Sequence, residues 1–225
     1  MNKKLMLLAL AAVSAAIFAL PSVASAAFAH ISSTGNFTLA NEGNTTLTEH
    51  GKTTKVTCTS ATGTGAFTTT TEGSLTISFH GCTENVFGSE CTGNAGGVHE
   101  SKGTITTTSL KFHLIEIENN VPGVLLTANN GHFATFTCAG GLVSKVVGGN
   151  GIVGQITSTC GVSNTTHTID FETVANTVGS TQKYTQTTTT GNIFDLTSNA
   201  TTTASQVGSG NITFSDGTAR SIVCT

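Results

Sequence analysis

The sequence predicts an all-β fold, either an antiparallel sandwich or a closed barrel, stapled by disulfides. Beyond residue 26 nearly every segment alternates apolar and polar residues with a period of two. No run of ten residues keeps a helical period, and Gly and Asn turn signals recur at short intervals. Threonine fills about one position in five, a β-branched, half-polar residue suited to the wet face of a sheet.

The chain opens with a short basic stretch, Met1–Lys4, and an apolar run to about Leu20. Ala24-Ser-Ala26 follows as an A-x-A cleavage signature. Residues 1–26 therefore read as a secretory signal peptide and 27–225 as a single all-β domain, secreted or at the cell surface. No later apolar run reaches transmembrane length.

Along that domain, Lys55–Thr59 places Val56 and Cys58 inward, and Ser74–His80 places Leu75, Ile77 and Phe79 inward. Leu110–Ile117 starts with Leu110, Phe112 and Leu114 on one face, then continues with Ile115 and Ile117. A β-bulge or a crossing between sheets would account for that slip. Val124–Thr127 leads through Asn130-Gly131 into His132–Cys138. Leu142–Val147 and Ile152–Ile156, joined by Gly148-Gly-Asn-Gly151, read as a deeply buried hairpin. Asn211–Phe214 turns at Asp216-Gly217 into Ser221–Cys224. The expected core is Val56, Leu75, Ile77, Phe79, Phe112, Leu114, Phe136, Ile156, Ile212 and Phe214, with Thr and Ser outward.

Six cysteines follow the signal segment, Cys58, Cys82, Cys91, Cys138, Cys160 and Cys224, and an even number in an exported chain implies three disulfides. Their spacing lacks the C-x2-C or C-x4-C pairs of a zinc site. Strand parity suggests Cys58–Cys224 and Cys138–Cys160, and proximity in sequence suggests Cys82–Cys91.

A net charge of −3 with 9% charged residues leaves no basic face for nucleic acid. No nucleophile elbow, zinc-protease helix, phosphate loop or calcium loop occurs, so no catalytic residue, metal site or cofactor is assigned. The histidines are isolated, as expected of surface positions. Glu116 with Glu118 and Asp170 with Glu172 are neighbours on one strand, whereas a glycosidase needs carboxylates facing across a cleft. Five N-x-[ST] sequons arise naturally where threonine is so abundant, and no role is given to them.

His80-Gly-Cys-Thr-Glu-Asn-Val-Phe-Gly-Ser-Glu-Cys91 and the polar run to Gly103 form the longest irregular connection. Binding residues concentrate on such loops. Contact with a ligand or cation would fall to Glu84, Glu90, His99 and Glu100. The simpler reading is a stapled solvent loop.

Ser33–Phe37, Glu72–Cys82, Gly131–Cys138 and Ile222–Thr225 resemble a group of secreted, threonine-rich, cysteine-containing proteins found as paralogues in soil actinobacteria. The likeness runs over nearly the whole chain. It implies export, an all-β domain and paired cysteines, and assigns no activity to any residue.

Three functions follow as expectations. The first is a non-enzymatic binding or envelope domain whose partner is a glycan or cell-envelope component. The second is an extracellular polysaccharide hydrolase using carboxylates from distant strands. The third, binding to ice or another crystal surface, needs threonines in register on a flat sheet, and the sequence shows no such repeat.

Overall fold

The computed structural model describes residues 29–41, 43–118, 120–176, 179–184 and 194–224; the signal peptide expected at 1–26 lies outside them. Eight strands form its frame: β1 Gly35–Asn41, β2 Ser60–Phe67, β3 Glu72–His80, β4 Leu110–Glu118, β5 Val121–Ala128, β6 Ile152–Ile156, β7 Thr166–Phe171 and β8 Thr202–Phe214. Each pairs antiparallel with the next in the chain, and β8 pairs with β1. The result is a closed up-and-down barrel, an arrangement that leaves no open edge.

In such a barrel alternate connections emerge at the same end. The four at one end (β1–β2, β3–β4, β5–β6 and β7–β8) are long and carry strands of their own. Thr45–Glu49 pairs with the first half of β8, Lys55–Cys58 with Thr45–Glu49, and Thr83–Glu84 with Lys55–Cys58. The bridge Thr83↔Glu90 leads to Cys91–Ala95, which pairs with His132–Cys138. That strand pairs with Val143–Gly149, then Leu196–Ser198, and so back to β8. A second ring thus stands on the first, with β8 long enough to serve both.

This arrangement corrects three expected hairpins. Asn130-Gly131 does turn, with Gly131 at φ 77°, but β5 stays in the barrel while His132–Cys138 enters the second ring. Val143–Gly149 and Ile152–Ile156 likewise pair in different rings, and Leu142 and Val146 are exposed. After Asp216-Gly217, Arg220–Val223 leaves β8 to pair with His30–Ile31 and Ser163–Asn164. A tight turn fixes a change of direction and says nothing about which neighbour the chain meets next.

All three disulfides differ from expectation: they are Cys58–Cys82, Cys91–Cys138 and Cys160–Cys224. Parity put Cys58 and Cys138 on the inner face correctly, but parity does not identify the adjacent strand. Cys91 and Cys138 are direct cross-strand partners, and Cys58 and Cys82 follow the pair Thr57↔Thr83. The Cys91 N–H does bond to the Cys82 carbonyl at 2.9 Å. Each sulfur, however, joins the strand on its other side.

The expected core positions are buried except Phe79, which is half-buried against the core. Phe37, Phe67, Phe112 and Phe214 cluster inside the barrel with ring centroids 4.7–6.5 Å apart, mostly tilted or edge-on. Glycines make room for them. A Cβ at Gly73 would stand 2.5 Å from the Phe112 ring, and one at Gly65 2.4 Å from Phe37.

The change along β4 has a different cause from the one expected. Its register shift lies between Glu116 and Glu118, after the apolar switch. Ile115 and Ile117 form a separate small core with Val153, flanked by Val121, Leu125, Tyr184 and Phe194. Both faces of this strand are covered over residues 114–117.

Candidate functional site

The long β3–β4 connection was the expected site, and its four candidate residues divide into two kinds. Glu84 is 1% exposed and closes the 84–89 turn from beneath. Its carboxylate accepts the N–H groups of Val86 at 2.6 Å, Phe87 at 2.9 Å and Ser89 at 3.1 Å. Burial alone would raise its carboxyl, but the Ser89, Val86 and Phe87 donors outweigh that and hold it below the ordinary value. Glu100 also turns inward and accepts the Thr106 N–H at 2.8 Å. A Cβ on Gly93 would meet that carboxylate at 1.8 Å.

Glu90 and His99 are exposed. Glu90 immediately precedes Cys91–Ala95, and His99 pairs with Asn94 near the far end of that strand. Four residues of extended chain separate them by roughly 13 Å. The four candidates therefore do not converge, and no group of three His, Cys, Asp or Glu side chains suited to a metal occurs among the described residues.

Several other ionisable groups are committed to the fold. Lys145 reaches across the second ring to both oxygens of Glu49, at 2.7 and 2.8 Å. Arg220, 3% exposed, lies 4.1 Å from the Phe214 ring centroid and bonds to Asp216, Ser33, Thr34 and Thr218. Its guanidinium holds Asp216 far below the carboxylate range.

His167 departs from the expected surface placement: it is buried between Ser158 Oγ at 2.8 Å and the Arg220 carbonyl at 3.0 Å. Burial lowers its pKa despite the carbonyl. A neutral ring donating from Nε2 to Arg220 and accepting at Nδ1 from Ser158 satisfies both partners. Sequence offered only His167 alternating inward with Ile169, a weak sign of this.

Of the carboxylate pairs, Glu116 is buried and Glu118 exposed, while Glu172 pairs with Lys183. Two apolar cavities among the described residues, about 80 and 40 Å³, are lined by no carboxylate. Both are smaller than the roughly 150 Å³ apolar void that takes benzene.

The outer barrel wall presents a feature that linear sequence concealed. Thr76, Thr64, Thr38, Thr213 and Thr166 stand in register across β3, β2, β1, β8 and β7. Beside them runs a second row, Ser78, Thr62, Ala40, Asn211 and Thr168. All ten are exposed or half-exposed, and neither row carries a charge. Some hydroxyls pair across strands, as Thr166 with Thr213 at 3.1 Å. Five threonines thus come into register without any repeat along the sequence, and on a closed, curved wall where a flat crystal plane meets only a few strands.

Comparison of the chain with protein-family models, curated proteins and solved structures returned no match.

Proposed function

We propose that this is a secreted, non-enzymatic binding domain, related to the threonine-rich actinobacterial proteins it resembles, whose ligand is a neutral extracellular or cell-envelope glycan. The observation that carries this reading is the uncharged double row of side chains on β3, β2, β1, β8 and β7. Hydroxyls about 4.8 Å apart across strands offer repeated donors and acceptors to a hydroxyl-rich polymer. A face without cations offers nothing to offset the desolvation of an acidic polymer, so it favours a neutral ligand over an acidic one. The three disulfides suit an oxidising compartment.

A glycan and polysaccharide array probed with residues 27–225 tests this, read for both binding and cleavage. Binding without cleavage, weakened about tenfold or more by Thr38→Val with Thr64→Val, is the expected result. Cleavage of any polymer would replace the reading with the hydrolase, and binding unchanged by the double variant would move the site elsewhere.

A further inference from the structure

The 84–90 turn is held firmly, and what it holds outward is apolar. Val86 is 50% and Phe87 61% exposed, and Phe87 is the one aromatic among the exposed large hydrophobic side chains described. Beneath them the Glu84 carboxylate takes the N–H groups of Val86, Phe87 and Ser89. Asn85 clamps the turn sideways, accepting from Lys55 N–H at 2.6 Å and donating to the Thr53 carbonyl at 2.9 Å. Cys58–Cys82 and Cys91–Cys138 fasten both stems.

Entering an apolar medium is costly for unpaired backbone donors. Three of this tip's donors are already satisfied from inside the protein. The neighbouring turn, tied on by Asn85, carries exposed Lys52 and Lys55, and residues 50–59 contain no carboxylate. Glu90, the nearest exposed acid along the loop, sits at the stem opposite Thr83. The tip is a turn over 85–87, which lacks the extended backbone that strand-pairing clefts bind. Apolar side chains at a convex tip with cations alongside match the interface between anionic headgroups and acyl chains.

We propose that Val86 and Phe87 insert into the surface of an anionic phospholipid bilayer, with Lys52 and Lys55 above the headgroups. Two side chains and two cations make a weak, reversible contact, below the roughly 10⁴ M⁻¹ of a single myristoyl chain. The contact is separate from the hydroxyl face, and vesicles contain no glycan, so failure of either proposal leaves the other standing.

The chain has no tryptophan, so Phe87→Trp places a single indole at the tip. Its emission is titrated with vesicles of equal parts phosphatidylglycerol and phosphatidylcholine, and with phosphatidylcholine alone, after circular dichroism shows the variant folded. A blue shift and brightening on the anionic vesicles, smaller on the neutral ones, is expected. Val86→Ser with Phe87→Ser should lower co-sedimentation of the otherwise unaltered protein about tenfold. Emission unchanged on both vesicles would overturn the proposal and leave the tip to an apolar pocket on a protein. An equal shift on neutral vesicles would overturn the anionic assignment, and undiminished co-sedimentation of the double serine variant would overturn the tip itself.

Discussion

Phe112 and Phe79 show how burial divides two phenylalanines that sequence treats alike. Phe112 is 3% exposed and packs against the Phe37 and Phe67 rings, whereas Phe79 packs only partly against the core. Phe112→Ala should cost about 3–5 kcal/mol and Phe79→Ala distinctly less, both read from denaturant midpoints. Gly73→Ala should also destabilise, by roughly 1–3 kcal/mol, because the added Cβ meets the Ala66 carbonyl at 2.0 Å and the Phe112 ring at 2.5 Å. Period-two alternation made the inward positions legible. The pairing of Gly73 with Phe112 was not, since it joins strands whose register only the closed barrel defines.

At the scale of elements, the connections decide the architecture. Non-reducing peptide mapping should recover Cys58 with Cys82, Cys91 with Cys138 and Cys160 with Cys224. Removing a bridge by paired Cys→Ala substitution should cost about 3–4 kcal/mol in the chain-entropy model. On loop length alone, Cys58–Cys82 (separation 24) should matter least and Cys160–Cys224 (separation 64) most. The sequence marked strands and turns well because both follow local pattern. It misassigned disulfides and hairpins because those depend on which strand lies alongside, a property of the two rings together. The candidate loop illustrates the limit. Its cysteines and acids drew attention, yet Glu84 and Glu100 serve their own backbone, and Val86 and Phe87 face solvent.

For the whole molecule, acid should loosen the fold in two stages. His167 has a lowered pKa in the folded state, so its contribution is complete above its unfolded value of 6.5. Below that the unfolded chain takes the proton first, and stability falls with pH. Glu84 and Asp216 are lowered too, so their contributions hold above unfolded values of 4.5 and 3.8 and are lost as pH falls toward their folded values. Asp195, raised chiefly by burial, acts in the opposite sense. Urea midpoints measured against pH should therefore decline from about pH 6.5, with a steeper loss near pH 4. His167→Gln should flatten the first decline and leave the second; an unchanged profile would remove His167 from the account.

One strand carries a consequence for how the chain comes into being. Thr202–Phe214 closes both rings, pairing with β1 and β7 in one and with Thr45–Glu49 and Leu196–Ser198 in the other. It also comes after all four of those partners in the chain. Until it arrives, the partners on either side of it wait unpaired, and loop-closure entropy is unrewarded across most of the polypeptide. Neither tier can close before that strand has been made. In the secreted protein proposed above, that delay would keep the chain pliable while it is threaded through an export channel.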